Sequence, residues 1–169
     1  GLEILKKDII IQRAFKLMNQ AMYMQQVHYI IDPKKFEKNI NYDHVLNELE
    51  KGQWRAFQIC FILLNIKSLS DPNSSDREIV DLIWFPTGGG KTEAYLLIIA
   101  FILFFKRLSP AYKFRGGLTV LMRYTLRTLT VDQFRRAAAV ILACEFLRKK
   151  NINQIPEDEI SIGLWVGRP

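Results

Sequence analysis

Cysteine is scarce in this 169-residue sequence, and the two present, Cys60 and Cys144, form neither a CxxC spacing nor a secreted-style framework. Both lie in apolar, helix-like stretches. The expectation is two small buried hydrophobes in a reducing compartment. Long apolar runs are also missing: the longest, Ala94 to Phe105, is 12 residues, whereas a membrane-spanning helix takes about 20. It is expected as a buried helix. No basic stretch followed by an apolar segment and a small-residue cleavage site opens the chain, so secretion is unsupported, and the cysteine usage points to a reducing, cytoplasmic setting. The histidines are His28 and His44 alone. Neither has cysteine, histidine or carboxylate neighbours at ligand spacing, so no protein-ligated metal site is expected. Internal repeats and low-complexity tracts are absent too. The chain begins at Gly1 rather than Met and stops at Pro169, just past a strand-like stretch. It is expected to be a fragment, one domain or part of one.

What the sequence does have is positive charge, unevenly placed. The net charge is +7, from 24 Lys and Arg against 17 Asp and Glu. Between Lys106 and Lys150 eleven basic residues face only Asp132 and Glu145, so the remainder of the chain is slightly acidic. A clustered excess is what a polyanion-binding face needs, because phosphate neutralisation scales with the Lys and Arg that reach one surface. The alternative is an ordinary solvated face.

Hydrophobic periodicity divides the chain. From Gly1 to about Gln26, Ile9, Ile10, Ala14, Leu17, Met18, Ala21 and Met22 recur at helical spacing, which predicts an amphipathic helix. Asp32-Pro33 breaks it. A short helix is expected over Asn41 to Lys51, and a nearly fully buried one over Gln53 to Ile66. Ser70 to Ser75 reads as a turn. The apolar run Ile79 to Phe85 then reads as a buried parallel strand. Further strands are expected at Leu118 to Met122 and Ile160 to Val166, with helices up to about Leu108 and from about Thr130 to Lys150. That alternation predicts an α/β fold with a parallel sheet, incomplete here and preceded by a helical N-terminal segment. The expected division is 1–52 for the helical segment and 53–169 for the front part of a nucleotide-binding domain.

Chemistry concentrates in Phe85-Pro86-Thr87-Gly88-Gly89-Gly90-Lys91-Thr92. Glycines free to take positive φ let successive backbone N–H groups turn onto phosphate oxygens, and the following helix aims its positive dipole end at the same place. Thr87, Gly88, Gly89 and Gly90 are the candidate cradle. Lys91 would reach the β- and γ-phosphates, and the Thr92 hydroxyl would ligate Mg²⁺ held through the nucleotide. The strict phosphate-loop pattern has glycine where Phe85 stands. The stretch from Pro86 to Thr92 nevertheless resembles the loop of superfamily 2 helicases. Glu93 follows, and its expected role is to complement the helix dipole. No catalytic carboxylate is assigned, since these enzymes carry theirs in a downstream acidic motif.

About thirty residues earlier, Trp54-Arg55-Ala56-Phe57-Gln58 resembles the adenine-recognising Q motif of the same superfamily. A glutamine amide matches the N6 and N7 edge of adenine, making Gln58 the candidate reader, with Arg55 or Trp54 stacking on the base. The alternative is a plain helix start. Met122-Arg123-Tyr124-Thr125-Leu126-Arg127 resembles helicase motif Ia, so Arg123, Thr125 and Arg127 are candidate phosphate-backbone contacts. Its usual Pro-Thr-Arg core is not reproduced. Gly167, in Gly163-Leu164-Trp165-Val166-Gly167, is a further candidate contact. Arg135 and Arg136 have an alternative reading as solvated helix charges.

Three strings, FPTGGGKTEAYL, LMRYTLR and IGLWVG, together resemble the helicase subunit of the bacterial DISARM phage-defence system, over about Trp54 to Gly167. That resemblance implies ATP and Mg²⁺ as ligands, nucleic acid with DNA ahead of RNA as the polymer, and partner subunits in a defence complex. The expectation is an ATP-dependent translocase whose fragment here is inactive alone, lacking the acidic motif and a second domain's arginine finger. Two alternatives stay open: another phosphate-loop enzyme of the kinase or AAA type, and a non-enzymatic scaffold. The motor expectation rests wholly on a loop placed at the mouth of a parallel sheet, and a sheet-free helical setting for these glycines removes it.

Overall fold

The computed structural model describes residues 1–30, 53–84, 86, 88–112, 117–124, 127–155 and 158–165. The expected helix over Asn41 to Lys51 and the Asp32-Pro33 break lie outside them.

The chain opens with α1 (Leu2–Lys7) and α2 (Ile9–Ile30). Asp8 separates them. Its N–H donates to the Ile4 carbonyl at 3.0 Å, closing α1, while its Oδ1 accepts from the N–H groups of Ile10 and Ile11 at 2.8 and 3.0 Å, starting α2. One short acid thus ends one helix and caps the next. Ile11, Ala14, Met18 and Ala21 fall at spacings of three and four and are all buried, which fixes the inward face of α2.

Next come α3 (Ala56–Ser70) and a 3-10 turn over Ser75–Glu78, whose cap, Ser74 Oγ, accepts from the Asp76 N–H at 3.3 Å. α4 (Lys91–Leu108) is apolar around its circumference, from Ala94 and Leu96 through Phe101, Phe104 and Phe105. A helix of that kind must be central. It packs on α2, α3 and the last helix, α5 (Arg127–Lys150), and α2 also packs on α5. Phe101 and Phe104 are fully enclosed, and truncation of either to alanine is worth about 3–5 kcal/mol. Among the described residues no helix is long and apolar enough to cross a membrane.

The expected α/β architecture is overturned. Among the described residues there is no strand and no sheet. The three segments read as strands, within 79–84, 118–124 and 158–165, run extended but unpaired. In the first, Val80, Leu82 and Trp84 are 92%, 87% and 89% exposed. An apolar run reports that side chains favour burial, not which neighbour supplies it. Here α2, α4 and α5 bury one another and close the core without a sheet. Two of the extended segments instead line a cavity of about 1030 Å³ over α4 and α5, bordered by Leu103, Leu118, Val120, Phe134, Ile141 and Ile162. Side chains hold the last segment in place. Arg107, buried in α4, donates to the carbonyls of Asp158 and Glu159 at 3.1 and 2.9 Å, and Glu145 Oε2 accepts from the Ile160 N–H at 3.0 Å.

The helix around Gln53 to Ile66 also differs from expectation. α3 starts later, runs to Ser70, and buries only Gln58, Ile62 and Ile66, leaving Leu64 71% exposed. Cys60 sits on its open face and is exposed, contrary to the expectation for both cysteines, whereas Cys144 is buried and its thiol is pushed far up by desolvation.

Candidate phosphate-binding site

The glycine-rich turn leads directly into α4. Gly88 and Gly90 adopt φ of +80° and +86°, the left-handed region that glycine enters without steric penalty. Gly90 is the N-cap residue and brings no side chain to cap the helix. The first backbone N–H groups of α4, which have no partner within the helix, therefore end at the turn uncapped by Gly90. The Gly89 N–H donates back to the Pro86 carbonyl at 3.1 Å, closing a tight loop. Lys91 Nζ donates to that same carbonyl at 2.9 Å, so the lysine lies over its own loop. Thr92 follows in the first turn, half-buried.

Two side chains from the start of α3 reach across to this turn. Arg55 Nη1 donates to the Gly89 carbonyl at 2.7 Å and Gln58 Nε2 to the Gly90 carbonyl at 2.9 Å. Gln58 Oε1 accepts from the Arg55 N–H at 2.9 Å, and the side chain is 4% exposed. Both ends of the amide are thus engaged inside the chain. A Cβ on Gly90 would come within 2.8 Å of Gln58 Nε2, so a side chain here would displace that amide as well as strain the backbone. Trp54 is held from the other side, its indole N–H donating to Asn19 Oδ1 of α2 at 2.7 Å. The Trp54-Arg55-Gln58 stretch therefore connects α2, α3 and the glycine turn.

Sequence reasoning grouped Gln58 and Arg55 with the loop, and the structure brings them together with it. It missed the partner of Glu93. That carboxylate, in the first turn of α4, pairs with Arg136 Nη2 of α5. No local pattern announces a pair 43 residues apart. The proposed nucleic-acid contacts are less defined. Arg123 is exposed on the cavity rim. Arg127 begins α5, but its side chain, with Thr87, Thr125 and Gly167, lies outside the described residues. Tyr124, beside Arg123, has its hydroxyl pKa raised by burial and by Tyr95, with Arg136 opposing.

The loop, its two clasping side chains and the helix behind it belong to a stretch with a known counterpart. The chain is similar to DISARM protein DrmA. The relative, from Bacillus paralicheniformis, is 48% identical over 160 residues, which is 91% of this chain and 14% of the relative. The likeness to DrmA reaches well ahead of Trp54, where the sequence resemblance was expected to begin, and so takes in much of α2 as well as the site. The chain spans about 14% of the DrmA relative's length. No protein-family model matches it.

Proposed function

We propose that this chain is the ATP-binding portion of a DISARM-type anti-phage defence protein, and that the N-terminus of α4 holds the nucleotide by its phosphates. The observation that carries this is the glycine turn itself: two left-handed glycines, a helix start that its N-cap does not cover, and Lys91 and Thr92 in its first turn. Such an end binds anions through backbone N–H groups and the helix dipole, and needs no sheet to do so. Gly88 leaves open space on its Cβ side, as a phosphate cradle requires. Lys91 would exchange the Pro86 carbonyl for phosphate oxygens. Thr92 would offer its hydroxyl to Mg²⁺, which when bound supplies charge neutralisation of the phosphates. Accepting from Arg55 and Gln58, the Gly89 and Gly90 carbonyls would not have to face the anion unpaired. For Gln58 to read adenine, its amide must first release Gly90.

In the full-length protein we assign to this site the ATP hydrolysis that drives movement on nucleic acid, with DNA the preferred polymer, in a cytoplasmic complex with other defence subunits. The basic segment and the DrmA similarity support that reading; the sheet-free core removes the ground the sequence offered for it, a loop at the mouth of a sheet. The sheet-free core favours a second reading, a scaffold in which the turn closes on itself through Lys91 and Pro86. One titration separates them. In the full-length protein, Lys91→Ala is expected to weaken binding of a fluorescent ATP analogue with Mg²⁺ by about tenfold or more, about 1.4 kcal/mol. Unchanged affinity would leave only the scaffold. DNA-stimulated hydrolysis is expected from the full-length protein and not from this chain alone, and brisk turnover by the isolated chain contradicts the assignment.

A further inference from the structure

Glu93 poses an electrostatic problem for an anion site. A carboxylate in the first turn suits the helix dipole, but it also sets a negative charge beside the turn that would seat a polyanion. Its Oε2 lies 3.6 Å from the position a Cβ on Gly90 would occupy, which puts the carboxylate against the glycine turn. Its Oε1 accepts from Arg136 Nη2, and both side chains are 22% exposed. The dependence is mutual. Arg136 Nε is buried with no acceptor among the described residues, so Glu93 is the carboxylate seen to offset the desolvation of that guanidinium.

We propose that Arg136 is a positioning residue of the phosphate site: by pairing with Glu93 it cancels the negative charge beside the glycine turn, so that a triphosphate can seat on α4. The pairing also ties the state of the loop to α5, the helix that follows Arg123 and begins at Arg127. The field of Arg136 reaches Tyr124 in that same connecting segment. This inference rests on the nucleotide reading above.

The test is a titration of the full-length protein with a fluorescent ATP analogue and Mg²⁺, on four variants. Arg136→Gln exposes the Glu93 charge and is expected to weaken binding about tenfold, more at low salt than at high. Arg136→Lys keeps the charge and should stay within about threefold of the parent, allowing for the lost fork geometry. Glu93→Gln combined with Arg136→Gln should return binding to within about twofold, because the repulsion is gone. A purely structural pair would instead move the urea midpoints of the variants and leave the affinity of the folded protein unchanged. If the double variant binds as weakly as Arg136→Gln, or if Arg136→Gln binds like the parent while Lys91→Ala does not, the role of Arg136 is overturned and the phosphate site stands. Should Lys91→Ala bind like the parent, the nucleotide reading and this one fall together.

Discussion

Gly90 and Gly88 make the same backbone demand but sit in different surroundings, and that difference is measurable. Both have φ near +80° to +86°, where an alanine is strained by about 1–2 kcal/mol. At Gly88 nothing lies within 4 Å of an added Cβ, whereas at Gly90 the Gln58 amide stands at 2.8 Å. Gly88→Ala should therefore show the strain alone. Gly90→Ala should also lose the Gln58 bond to the Gly90 carbonyl, a further ~1 kcal/mol. Urea unfolding of the two variants checks this, and equal losses would mean that Gln58 does not hold the turn. The glycines were legible in the sequence because positive φ is a local requirement. The Gln58 clasp was legible only as a residue type, since its partner is the backbone 32 residues further on.

At the scale of elements, α5 anchors the last extended segment through Glu145. Arg148, 4% exposed, donates to both Glu145 oxygens at 2.6 and 2.7 Å, and Glu145 Oε2 also accepts from the Ile160 N–H. The Arg148 hydrogen bonds first, and the Ile160 bond after the opposing effect of burial, hold the carboxyl at about 2 against an ordinary 4.5. A carboxyl depressed on folding contributes stability that is complete above its unfolded value and is lost as pH falls toward its folded one. The contribution should therefore fade between about pH 4.5 and about 2. Glu145→Gln should be less stable than the parent at about pH 6 and flatter through that acid window, read from urea midpoints at each pH. Parallel curves for the two proteins would exclude Glu145 as the source.

The helices show why sequence reading succeeds unevenly at this scale. α4 and α5 were placed within a few residues, because a glycine turn, an unbroken apolar run and a basic end are properties of the segment itself. The strands failed because pairing depends on a neighbour. Ile79, Val80, Leu82 and Trp84 have strand composition, yet among the described residues no second segment pairs with them. The helix around Cys60 failed for a related reason: its apolar residues surround the whole cylinder, but among the described residues most of the cover comes from α4, with less from α1 and the 3-10 turn.

For the whole molecule, the balance is a helical core with apolar edges. Leu118 and Leu121 are 78% and 69% exposed beside the cavity, and Leu164 is 42% exposed across from them. An open apolar cleft of this kind binds apolar probes. The isolated chain is expected to enhance the fluorescence of an anionic naphthalene dye, and Leu118→Asp with Leu164→Asp should lower that signal severalfold without loss of helical circular dichroism. Dye binding that survives both changes would place the apolar surface elsewhere.

The indoles give the chain an optical label of its own. Trp84 stands two residues before Pro86, and Trp165 closes the far described segment; they are 89% and 96% exposed, while Trp54 is partly enclosed and tied to Asn19. The emission of Trp84 and Trp165 is expected to be red and readily quenched by iodide, and Trp84 is the indole nearest in sequence to the glycine turn.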